Sequence, residues 1–233
     1  MKTKQVVLLS VIAAVIVIGV GAYAFLGDYL GNKVEIESVM TPPEKTEPAG
    51  GTSSVTVSSD QLNGIWNIAD GSKVYWSVTT SKETVNFVNE SIAGSWTVDL
   101  GDPTKMAGEG ILDMTALDSG NSQRDSHVKE REDLLAVGQY PEATFTATAI
   151  TSEMTEFTEG ATVPLTIAGT LTVKGVEKAV TFDSNAMYQN GQLLLSGTTK
   201  VTFSDFGMAS PHTVVLETEN DLSVQLELVL EQA

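Results

Sequence analysis

Leu222, Val224, Leu226, Leu228 and Leu230 alternate with Ser223, Gln225, Glu227, Val229 and Glu231. A strand places those five aliphatic residues on one face and a mostly polar set on the other, whereas a helix would scatter them around its circumference. The same period recurs at Val74, Trp76 and Val78, at Phe145, Ala147 and Ala149, and at Val163, Leu165, Ile167, Leu171 and Val173. From residue 59 onward this pattern predicts about eight strands. Turn signals separate them: Lys174-Gly175 follows one run, and Asn190-Gly191, a strong hairpin signal, lies between two others.

One helix is predicted over 122–137. Ser122 and Asp125 have capping-box spacing, Gly138 can end the helix, and Pro141 lies just beyond. Its apolar face is thin, made of Val128, Leu134 and Leu135, so it can lie across a barrel end but cannot nucleate a helical bundle. The all-β remainder can close as an up-and-down barrel or pack as a sandwich. Strands as long as 163–173 favour an eight-stranded antiparallel barrel, which can enclose one small ligand, although alternation alone leaves the sandwich open.

The start of the chain reads differently. Residues 6–26 carry no charge over 21 positions, which as a helix matches a hydrocarbon core about 30 Å thick. Lys2 and Lys4 precede the run and Asp28 follows it, so the positive-inside bias predicts a cytoplasmic N-terminus and an exported bulk. Ala22-Tyr23-Ala24 has a signal-peptidase pattern, so 1–26 is read as a transmembrane anchor or a signal segment; the length of the run favours the anchor. Residues 27–58 contain Pro42, Pro43, Pro48, Gly50 and Gly51 and are read as a tether to a domain at 59–233.

Thirteen basic against thirty acidic residues, a net charge of −17, argue against nucleic acid or an anionic lipid surface as partner. The absence of cysteine excludes disulfides, a thiol nucleophile, thiolate metal sites and an acylated lipoprotein cysteine. No G-x-S-x-G or phosphate-binding glycine loop occurs, and His127 and His212 are the only histidines. Glu217, Glu219 and Asp221 cluster without an EF-hand pattern. No catalytic residue, metal or cofactor is expected.

The stretches SGNSQRDSHVKEREDLL (119–135), YPEATF (140–145), GTLTVKGVEKAVTFD (169–183) and FSDFGM (203–208), in this order and spacing, resemble the YceI-like family of lipid or polyisoprenoid-binding proteins. Gly64, Trp66, Asp70 and Ser72 agree with the start of that domain, and the likeness covers 59–233. The resemblance implies a lipocalin-like barrel, usually exported, whose apolar interior holds an isoprenoid, quinone-like or fatty chain. One departure stands out: the family often carries a histidine beside the serine near the first strand, where this chain has Gly71-Ser72.

Two groups of residues are therefore candidates for ligand contact. Arg124, Asp125 and His127 can form a polar rim for a head group, Arg124 supplying a forked donor; the structural alternative has them capping the helix and pairing with neighbours. Trp66, Trp76, Phe87, Phe145, Phe182, Phe203, Phe206 and Met208, with Leu134 and Leu135, can line the cavity or simply pack. The expected function is sequestration or carriage of a long-chain amphiphile outside the cytoplasm, in the periplasm or an equivalent space, without turnover. Expected partners are that lipid, the membrane through 6–26 and, optionally, a second copy of the chain. The rival is a pocketless sandwich on a stalk.

Overall fold

The computed structural model describes residues 31–40, 56–152, 157–211 and 217–233. Its strands are β1 (Thr56–Val57), β2 (Gly64–Ile68), β3 (Lys73–Thr80), β4 (Thr84–Asn89), β5 (Ile92–Val98), β6 (Ala107–Asp113) and β7 (Glu142–Thr151). They continue with β8 (Phe157–Thr158), β9 (Thr162–Val173), β10 (Val176–Gln189), β11 (Gln192–Thr202) and β12 (Thr218–Gln232). Two α-helices accompany them, α1 (Ser59–Leu62) and α2 (Ser122–Glu130).

Hydrogen bonding runs β11-β10-β9-β7-β6-β5-β2-β12, and β12 pairs back onto β11 to close an eight-stranded antiparallel barrel. Closure excludes the sandwich. β12 pairs with β3 from Thr218 to Glu227 and with β2 from Leu230 to Gln232, so β2 and β3 are two halves of one broken barrel strand. Their partners β5 and β4 are broken in the same way. At the break, the Ser72 hydroxyl accepts from the Val229 amide (2.9 Å) and also donates to the Val229 carbonyl (3.2 Å), which the Ala69 amide reaches at 2.9 Å, so the hydroxyl supplies the acceptor that the Val229 amide would otherwise lack. Ser72 is buried, Gly71 has φ +89°, and the Ser72 amide donates to the Ala69 carbonyl (3.3 Å), so residues 69–72 form a turn between the two halves.

The alternating residues face inward as predicted: Leu222, Val224, Leu226, Leu228 and Leu230 are all buried, as are Val163, Ile167, Leu171 and Val173. Both hairpin signals are used. Lys174-Gly175 joins β9 to β10 and Asn190-Gly191 joins β10 to β11, each with φ positive at both positions, the geometry that matches strand twist.

The predicted helix is shorter than its pattern. It stops at Glu130, because Arg131 is extended and the following turn folds back: the Leu135 amide donates to the Val128 carbonyl and the Val137 amide to Lys129. Leu134 and Leu135 therefore reach the core from a loop. The cap also differs. Asn121 is the N-cap, its side chain accepting from the Arg124 amide at 3.0 Å, which leaves Asp125 for other partners.

Part of the segment read as tether is docked. Residues 31–40 cross the outer face of β4, β3 and β12, where Asn86 donates from its side chain to the Val34 carbonyl and Lys73 pairs with Glu37 at 2.7 Å. Glu227, fully buried on that outer face, accepts from the Ser38 hydroxyl, the Val39 amide, Ser196 and Gln225. Replacing Glu227 by Ala leaves these donors unmatched, so we expect a loss of about 2 kcal/mol. Hydrogen exchange checks it: the Val39 amide is protected in the wild type and exchanges freely in Glu227→Ala. Equal protection in both proteins would show that Glu227 does not hold the strap.

The expected span at 6–26 lies outside the described residues, and among the described residues no helix is long and apolar enough to cross a membrane.

Candidate functional site

The inward faces of the strands do not fill the barrel. Among the described residues two apolar cavities stand out, one toward each end, and no residue lines both. The first, about 140 Å³, lies at the α2 end and is walled by Trp76, Val78, Val85, Phe87, Met114, Leu117, Leu134, Leu135, Phe203, Met208 and Leu222. Arg124 and Glu83 are its charged lining residues, and Gly31 of the docked strap also lines it. The second, about 280 Å³, lies at the α1 end, between Leu62, Trp96, Met106, Ile150, Phe157, Leu165, Ile167, Ala186, Leu193, Leu195 and Leu230. Neither Phe145 nor Phe182 lines a cavity; their rings pack edge-to-face at 5.2 Å within the core.

Arg124 is held by its surroundings. Its Nε donates to the Ser119 hydroxyl (2.8 Å), Nη2 to the Ser119 carbonyl (2.9 Å) and Nη1 to the Gly31 carbonyl (3.1 Å), while its guanidinium lies 5.8 Å from the centre of the Phe87 ring. Asp125 accepts from the amide and hydroxyl of Ser119. Burial pushes the Asp125 carboxyl above the usual aspartate range; the two Ser119 hydrogen bonds oppose this and neighbouring Asp118 adds to it. Ser119 thus joins the acid to the base beside it. Arg124 thus places a fixed guanidinium in the wall of an apolar chamber that Glu83, Thr80 and Thr218 also line.

The candidate residues divide accordingly. Trp76, Phe87, Arg124, Leu134, Leu135, Phe203 and Met208 come together around the first chamber. Asp125 lines no cavity and acts on Ser119, and His127 is exposed, its Nε2 2.9 Å from Arg131, because it points off the solvent side of α2. Trp66, Phe206, Phe145 and Phe182 are buried packing residues; the Trp66 indole donates to the Leu62 carbonyl at 2.8 Å and its ring meets Tyr188 edge-on. None of the candidates lines the second chamber, whose walls are mostly aliphatic residues at inward strand positions. The alternation was the signal for these, but it marks every inward residue equally and cannot separate wall from filling.

Two buried polar atoms stand out. The indole N–H groups of Trp76 and Trp96 have no hydrogen-bond partner among the described residues, and one tryptophan lines each chamber. Among the described residues no group of His, Asp or Glu could hold a metal ion. His212 lies outside the described residues.

A closed eight-stranded meander with apolar interior chambers defines a lipocalin-like β-barrel. Its sequence profile is more specific. The YceI-like domain matches residues 66–230, so the chain belongs to the YceI-like family. Among curated relatives, a UPF0312 protein of Yersinia enterocolitica is 36% identical over 91 residues, covering 39% of this chain and 43% of that protein. Protein YceI of Salmonella arizonae is 32% identical over 96 residues, covering 41% and 46%. The aligned part of the chain thus spans less than half the length of these relatives. In three dimensions the chain is similar to BcnA of Burkholderia cenocepacia, with TM-score 0.60 and 18% identity over 70% of this chain and 98% of that one. It is also similar to a polyisoprenoid binding domain from Saccharophagus degradans, with TM-score 0.58 and 12% identity over 73% and 99%. At such identities these two structures establish the fold alone.

Proposed function

We propose that this protein binds and carries an isoprenoid, quinone-like or fatty amphiphile at the outer side of a membrane, with residues 6–26 as its anchor. The observation that carries the reading is the first chamber, whose apolar walls meet one fixed guanidinium at Arg124. Burying each methylene contributes about 0.8 kcal/mol, so the walls supply affinity while the Arg124 guanidinium places a positive charge beside a polar or anionic head group. Leu134 and Leu135 enter from the loop after α2, so that wall can yield to a longer chain without breaking ladder hydrogen bonds. The family membership and the likeness to the polyisoprenoid binding domain from Saccharophagus degradans support a lipid of this class. No turnover is proposed.

Native mass spectrometry of the full chain, followed by solvent extraction, tests this reading. A stoichiometric isoprenoid or acyl species is expected. Leu134→Trp fills the chamber and is expected to lower loading at least tenfold at a cost of about 1–3 kcal/mol in stability. Lys105→Ala, on an exposed surface, is expected to leave loading unchanged. A lipid-free mass that persists after incubation with polyprenyl and quinone mixtures would refute it.

A further inference from the structure

The strap at 31–40 runs along the barrel from the α2 end. Gly31 lines the first chamber and its carbonyl accepts from Arg124, while the Asn32 amide donates to Glu83 in the turn between β3 and β4 (3.1 Å). The Asn32 side chain accepts from the Asn86 amide (2.9 Å), and farther along Ser38 and Val39 reach Glu227, opposite Lys73 at the start of β3. The chain therefore joins the barrel at the rim of its α2 end, and this docking sets the length of the leash. Only residues 27–30 separate the apolar run at 6–26 from Gly31. Fully extended, that connection reaches no more than about 18 Å. Without the docked strap the leash would be residues 27–55, with a reach of about 100 Å.

We infer that the strap holds the barrel with its α2 end toward the bilayer in which residues 6–26 are anchored, so that the rim bearing Gly31, Tyr140 and Val176 meets a neutral lipid surface. The inference rests on the anchor in the reading above. Tyr140 and Val176 flank the Lys174-Gly175 hairpin at that end and are 38% and 39% exposed, and tyrosine favours the membrane–water interface. Charge does not hold the rim down: Glu130, Glu132 and Asp133 are exposed there beside Arg131, which gives no net attraction to an anionic surface. The short leash supplies the local concentration instead. β12, 15 residues long in a tilted barrel, places the α1 end about 40 Å farther out.

The chain has no cysteine, so a single introduced thiol carries a donor dye without competition. Gln139→Cys marks the α2 end and Ala161→Cys, just before β9, marks the α1 end; both positions are exposed. The full chain is placed in phosphatidylcholine nanodiscs with acceptor-labelled head groups, and energy transfer is compared between the two positions. Transfer from 139 is expected to exceed that from 161 at least about twofold, given their separation along the barrel. A flexible Gly-Ser insert of about 30 residues between Leu30 and Gly31 lengthens the leash and is expected to bring the ratio close to one. The same insert between Gly50 and Gly51 lies beyond the strap and is expected to leave the ratio unchanged. A wild-type ratio near one, or two inserts with the same effect, would overturn the orientation. The measurement reads position rather than loading, so that result leaves lipid carriage standing, and a lipid-free barrel refutes carriage with the orientation intact. A chain that does not co-purify with nanodiscs would overturn the anchor and the orientation together.

Discussion

Gly94→Ala is expected to abolish folding or to lower stability by at least about 4 kcal/mol, which for a domain of this size is a fall of roughly 8–16 °C in Tm. Gly94 lies in β5 opposite Gly110 of β6, with φ +152°, backbone that side-chain-bearing residues rarely adopt. A Cβ at this position would sit 2.1 Å from the Glu109 carbonyl oxygen and 3.0 Å from the Gly110 Cα. Backbone cannot swing aside as a side chain can, so the strain has to be released by separating β5 from β6. That separation opens the barrel, because every stave of a closed sheet is held on both edges. Gly138→Ala is the control: nothing lies within 4 Å of its added Cβ, so thermal unfolding followed by far-UV circular dichroism is expected to change by less than about 0.5 kcal/mol. If Gly94→Ala melts within a few degrees of wild type, the two strands do not approach as described.

Arg124→Met is expected to cost about 3 kcal/mol, and to do so by a different route. The substitution keeps an unbranched side chain of similar reach but withdraws the donors that satisfy the Ser119 hydroxyl and carbonyl and the Gly31 carbonyl. Ser119 is fully buried, so water does not replace them without opening the α2 end of the barrel. Losing the Gly31 contact also frees one point at which the docked strap meets the barrel. Arg124→Lys is expected to recover only part of the loss, since an ammonium lacks the planar fork that serves Ser119 and Gly31 together. His127→Ala, at an exposed position on the same helix, is expected to fall within about 0.5 kcal/mol of wild type. Chemical denaturation separates the three variants. If Arg124→Met and His127→Ala unfold at the same denaturant concentration, the buried network contributes nothing to holding that end closed.

The two helix residues show where sequence reasoning stops. Arg124 and His127 are three apart and both looked suited to a rim, yet one is buried in the chamber wall and the other faces solvent. The hydrophobic pattern of α2 is too weak to orient it: with Leu134 and Leu135 lying beyond its end, Val128 is all that remains of the predicted apolar stripe. Hydrogen bonds from Ser119, outside the helix, set its rotation instead. The aromatic candidates divide for a related reason. Trp76 and Phe87 face each other across β3 and β4 at the wall of a chamber, while Phe145 of β7 and Phe182 of β10 meet over Gly169 of the intervening β9.

What the sequence determined by itself is the local grammar. Period two made strands of 163–173 and 222–230, positive-φ pairs at Lys174-Gly175 and Asn190-Gly191 made the hairpins, and together they imposed antiparallel neighbours of known register. These are interactions between residues close along the chain, or repeated so often that one face must be buried. The tertiary structure alone decided closure, through β12 pairing with both β11 and β2, and it alone divided the interior into two chambers. It also turned residues 31–40 back onto the barrel and buried Glu227 beneath them. Such outcomes depend on side-chain volumes and polar partners from distant strands meeting at one point, and a cavity is the volume those side chains leave unfilled, which no periodicity along a single strand records.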